Sequence, residues 1–130
     1  MFDLKKILNG RTSVPEPEIY LAGSDISVGM ALTLSGGKLT KCSGTTVPTH
    51  VAMGSAVTGG KVAAAPVNSD QRYETEITVD YSGDNHPKEG DKVTISADGL
   101  GVTATTASGV ATIVALNGAK AVGDKITVKF

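Results

Sequence analysis

Tryptophan is absent from this 130-residue chain, and aromatic residues of any kind make up only 4% of it. That shortage removes the stacked rings on which carbohydrate clefts and base-stacking sites are usually built. Charge is sparse too, at 19% of residues, against about 25% in an average globular chain. The formal net charge is −1, so no electrostatic argument connects the chain to nucleic acid or to an anionic membrane. Cys42 is the single cysteine, which precludes an internal disulfide. It reads as a small buried hydrophobe in a reduced compartment. No window approaches the roughly 18 consecutive apolar residues of a membrane span. The opening MFDLKKILNG is too interrupted to serve as a secretory signal. The expectation is a soluble protein made inside the cell.

What is present is Gly, Ala, Val and Thr, in short alternating runs. Met30, Leu32 and Leu34 alternate with Ala31, Thr33 and Ser35, then Gly36 and Gly37 turn the chain into a return strand over Leu39–Cys42. Val51–Val57 and Lys61–Val67 flank a second glycine turn, Thr58-Gly59-Gly60. The clearest strand is RYETEITVDY. Tyr73, Thr75, Ile77, Val79 and Tyr81 share its apolar face, and Arg72, Glu74, Glu76, Thr78 and Asp80 its wet one. Val93–Ser96, Val102–Thr106, Val110–Leu116 and Lys125–Phe130 complete the pattern, the last with Ile126, Val128 and Phe130 inward. About eight or nine short strands spaced by turns read as a small antiparallel β-barrel or sandwich.

The phrase VGMALTLSGGKLT at Val28–Thr40 returns 61 positions later as EGDKVTISADGLGVT, and a shorter echo, VGDKITV, ends the chain. Each copy is a Gly, two variable residues, then apolar-Thr-apolar. That is a turn followed by a strand whose Thr faces outward. The fuller match allows two pseudo-repeats, 26–67 and 87–130, within one β-domain of residues 25–130.

Residues 1–24 read as an extended N-terminal arm in front of that domain. Leu4, Ile7 and Leu8 stand at i, i+3 and i+4, which predicts a helix over residues 1–10, stopped by Asn9-Gly10. Its apolar stripe either docks on the protein's own core or grips a neighbour. Pro15 and Pro17 then favour extended chain.

Chemistry finds little support. GSAVTGGKV has glycines at the spacing of a phosphate loop, but Gly60 stands where the Lys belongs and Val62 where the Ser or Thr belongs. Asp84, His86, Glu89 and Asp91 are the densest cluster of possible ligands, without the register of a calcium loop. His50 has no carboxylate or cysteine at ligand spacing, so no zinc site forms with His86. There is no nucleophile elbow, and Cys42 lacks an activating neighbour. Lys38 and Lys61 lack the setting of a biotinyl- or lipoyl-carrier lysine. The reading is no catalytic residue, no metal and no cofactor. An enzyme or ligand-binding barrel would rest on the 84–91 cluster alone.

Three features together resemble the head-decoration, capsid-stabilising proteins of tailed bacteriophages and related auxiliary phage structural proteins. They are the Pro-containing arm Met1–Ser24, the stretch VGMALTLSGGKLTKCSGTTVPTHVAMGSAV, and the closing VGDKITVKF. The resemblance implies a homotrimeric or otherwise symmetric β-rich cap on the outside of the virion capsid. It implies an arm that grips the major capsid protein, no catalysis and no cofactor. The arm contacts would be Phe2, Leu4, Ile7, Leu8, Val14 and Ile19, through strand addition or apolar docking, because the arm has no strong net charge. The alternative is a tail, fibre or surface-adhesion module that meets a host ligand through loops 44–50 and 82–91.

Overall fold

The computed structural model describes residues 1–8, 16–84 and 86–130. Among them are eleven β-strands and no helix. In chain order these are β1 (Asp3–Ile7), β2 (Glu18–Ala22), β3 (Ala31–Ser35), β4 (Lys38–Lys41), β5 (His50–Ala52), β6 (Lys61–Pro66), β7 (Gln71–Ile77), β8 (Lys92–Ile95), β9 (Gly101–Thr105), β10 (Ala111–Ala115) and β11 (Lys125–Lys129). The all-β class agrees with the sequence pattern. β3 to β11 fall on the nine alternating segments, with β5 shorter than the run Val51–Val57.

Two corrections concern the front of the chain. Met1–Leu8 contains a strand, not a helix, because β1 pairs antiparallel with β7. Its register shifts between Leu4 and Lys6. A bulge of this kind adds a residue and resets the alternation, so Leu4 and Ile7 both lie half-buried at a spacing of three. β2 lies in the stretch read as tether, and these two strands raise the number from eight or nine to eleven.

The strands form two rings rather than one barrel or sandwich. β2-β4-β3-β5-β6 closes on itself as ring one. The remaining strands run in the order β1-β7-β11-β10-β8-β9, and a parallel pairing of β7 with β9 closes ring two, with β1 added outside. The wiring is the same in both. β2, β3, β4, β5 and β6 take the places of β7, β8, β9, β10 and β11. Each ring closes through one parallel pair, β2–β4 or β7–β9. Leu32 pairs with His50 as Val93 pairs with Ala111, and Leu21 with Lys61 as Glu76 with Lys125.

The repeated phrase has a common geometry. Gly29, Gly90 and Gly123 all have positive φ, at 76°, 94° and 92°. Each sits third in a turn closed by an i to i+3 bond, from Met30 to Ser27, Asp91 to Lys88 and Asp124 to Ala121. This is the type II pattern, which needs a left-handed third residue. Each glycine N–H also donates to a neighbouring strand, at Ala52, Ile113 and Ile77 respectively. The turn thus delivers Leu32, Val93 and Ile126 into the interior, all fully buried.

Five short strands enclose little space, and aliphatic side chains, with Tyr73 in ring two, fill it. Ring one holds Ala22, Ile26, Met30, Leu32, Leu39, Ala52, Val62 and Ala64. Ring two holds Tyr73, Ile77, Val93, Ile95, Val102, Ile113, Ile126 and Val128, and its cluster continues into Ala31, Cys42 and Val51 of ring one. The rings therefore share apolar contact. A backbone bridge between Gly44 and Ile95 and a bond from Ala31 N–H to Gly99 carbonyl add polar contact.

Candidate interaction surface

β1 lies along β7 of ring two, and Phe2 just ahead of it reaches ring one. Phe2 is only 2% exposed, its ring 5.1 Å from Phe130, which is 5.4 Å from Tyr73. Its amide donates to the Gly29 carbonyl of ring one at 2.8 Å. The Met1 amino group donates to the Leu100 carbonyl. Leu4 pairs opposite Tyr73 and packs on the ring-two core. Lys5 meets Asp3 at 2.6 Å and Glu74 at 3.8 Å. Beside this strand a groove of about 230 Å³ is lined by Met1, Phe2, Val28, Met53, Ala65 and Tyr73.

The six residues read as arm contacts are thus divided. Phe2 and Leu4 pack on the chain's own core, and Ile7 is half-buried. Leu8, at 49%, and Ile19, at 67%, hold apolar surface in water. Val14 lies outside the described residues.

The fold also builds a polar line that spacing does not reveal. His50 is 5% exposed. Its Nε2 lies 2.8 Å from Glu18 Oε2, and its Nδ1 2.8 Å from Thr49 Oγ1. Tyr20 hydroxyl donates to the same Glu18 oxygen at 2.9 Å, and the Tyr20 ring meets the imidazole edge-on at 5.5 Å. Thr49 Oγ1 accepts the Leu34 amide at 2.9 Å. All groups are satisfied when Thr49 O–H donates to Nδ1 and Nε2–H donates to Glu18. The bond from His50, then that from Tyr20, holds the Glu18 carboxyl below its ordinary value. Hydroxyl, imidazole and carboxylate are thus engaged in joining β2, β3 and β5. Sequence spacing gave no carboxylate partner for His50; the fold supplies one. Glu18 is 32 positions away in sequence and reaches it because β2 and β5 both flank β6.

Cys42 is fully buried, and burial pushes its thiol up to about 11. It is a core side chain, without the thiolate character of a nucleophile.

Among solved structures, the chain is similar to the head fibre gp8.5 N base of bacteriophage phi29. The TM-score is 0.56 at 18% identity, over 88% of this chain and 92% of that one. This chain has the fold of a phage head-fibre base. No family model matches the sequence, and no curated protein does.

On the head-fibre-base fold, the two loops singled out in the sequence differ in character. Loop 44–50 is anchored at both ends, by Gly44 on Ile95 and by the Thr49–His50 line, and carries Val47 at 65% exposure between them. Loop 82–91 is more open. Asp84, His86 and Pro87 line a shallow depression of about 410 Å³ with Asp80, Tyr81 and Thr105. Among the described residues no three metal-ligating side chains converge, there or elsewhere.

Proposed function

We propose that the protein is a non-enzymatic structural component of a phage particle. It sits on the outer surface of the assembled head, binds the major capsid protein and stabilises the shell, as a homotrimer. The observation that carries this reading is the shared fold with a phage head-fibre base over most of both chains. The exposed apolar side chains of Leu8 and Ile19 support it, since docking surfaces need such contacts. Phe2 and Leu4 hold β1 against the core.

The test is co-sedimentation of the purified chain with heads of the phage whose genome carries its gene. Saturable binding that slows thermal disruption of the heads is the expected result. Protein that stays in the supernatant at every concentration overturns the proposal.

The similar structure is part of a fibre, and this favours a second reading, in which loops 44–50 and 82–91 present a host-binding surface. Alanine at Val47 and His86 would then abolish attachment of particles to cells while leaving head binding intact.

A further inference from the structure

Among the described residues, ring two has a strand, β1, that has no counterpart in ring one. In ring two, β7 gives one edge to β11 and divides the other between β9, at Glu76 and Ile77, and β1, at Gln71–Glu74. In ring one, β2 gives the matching edge to β6 and meets β4 at Leu21 and Ala22. Ahead of Leu21 that second edge has no strand partner among the described residues. Aligning the two pairings places Ile19 where Glu74 stands, and Glu16, Pro17 and Glu18 where Gln71, Arg72 and Tyr73 stand.

The backbone of β2 is aimed at this gap. Ala22 exchanges bonds with Gly60 and Gly59 on the β6 side, as Ile77 does with Asp124 and Gly123 in ring two. Backbone groups alternate along a strand, so Ile19 turns its N–H and C=O to the open edge. Its side chain is 67% exposed. Glu18 is held in place by His50 and Tyr20, which fixes the edge in strand geometry. Pro17 adds a carbonyl but no N–H, which limits pairing to a short segment and guards the edge against unlimited sheet growth.

We propose that the β2 edge of ring one is a docking site for an extended, lysine- or arginine-bearing segment of another protein. The segment adds beside β2 as β1 adds beside β7. Charge favours a basic occupant. Glu16 and Glu18 are both exposed at this edge. Counting disfavours a β1 donated by a second copy. Each chain carries one β1 and two such places, so a copy that donates its β1 vacates its own ring two and the number of filled places is unchanged. The inference stands on the pairing geometry and does not require the phage-head reading.

The probe is a labelled synthetic peptide of sequence MFDLKKIL, titrated into the full chain by fluorescence anisotropy with amide exchange followed by NMR. The proposal expects saturable binding and slowed exchange of the Ile19 amide. It expects no binding of the charge-reversed peptide MFDLEEIL. Ile19→Pro, which removes the edge donor, and the milder Glu16→Lys should each weaken binding about tenfold or more. Four results overturn it. One is no binding at about 1 mM peptide, and another is binding that both substitutions leave unchanged. The third is an Ile19 amide already protected in the free monomer. The fourth is a solution mass of several chains that falls to one on Ile19→Pro, which would assign the edge to a second copy.

Discussion

Gly29, Gly90 and Gly123 adopt backbone angles that a side chain resists. A Cβ at Gly90 or Gly123 would meet nothing within 4 Å, so replacing either by alanine tests the angle alone. Each substitution should destabilise the fold by about 1 kcal/mol in denaturant titration. Gly29→Ala should cost more, because its Cβ would fall 1.8 Å from Met1 Cγ and displace the strand start that bridges the rings. Acid should act at single carboxylates as well. Asp124 is held below its ordinary value of 3.8 by the Lys120 and Ala121 amides, Asp25 by the amide and then the hydroxyl of Thr58, and Glu18 by His50 and then Tyr20. A depressed carboxyl stabilises the fold while it is ionised in both states, and that contribution disappears as pH falls through the folded value. Thermal melts should therefore show stability declining below pH 4.5, the ordinary value for Glu18, and further below 3.8. Asp124→Asn should flatten that decline. The glycine turns were legible in the sequence because the same residue order recurs three times. The Glu18–His50 contact was not, because β2 and β5 come together only by pairing with β6 from either side.

β1 shows why a short element can be misread. Its apolar residues satisfy a helical spacing, yet the bulge between Leu4 and Lys6 lets a strand produce that spacing too. β2 was hidden for a different reason. Ile19 and Leu21 face water, so its outward face is as apolar as its inward face and no alternation marks it. β7, with charged residues outside and Tyr73, Thr75 and Ile77 inside, had the opposite character and was plain. The packing of β1 has a measurable consequence. Phe2→Ala removes a buried ring that touches Phe130 and should cost about 3 kcal/mol. A loss below about 0.5 kcal/mol would instead describe an arm independent of the core. At the closure of ring two, a Cβ on Gly101 would fall 2.7 Å from the Glu76 carbonyl oxygen. Gly101→Ala therefore strikes the β7–β9 pairing directly.

At the scale of the molecule, two rings with the same wiring are joined by one apolar cluster, by the Gly44–Ile95 bridge and by Phe2. The echo at 61 residues was the visible trace of that repetition. The sequence showed it only for β3 and β8 and their hairpins, because the other strands keep the pairing while changing the residues. The interiors of both rings are filled by apolar clusters, and shared apolar contact holds the rings together. On the surface of the molecule are exposed Ile19 and Leu8, a β2 edge without a strand partner among the described residues, and two loop tips. If the proposed structural role holds, cryo-electron microscopy of particles from a phage carrying this gene tests it most directly. The account predicts density that fits both rings on the outer face of the head, and bare heads when the gene is deleted. Heads that look the same with and without the gene, or density confined to the tail, would contradict it.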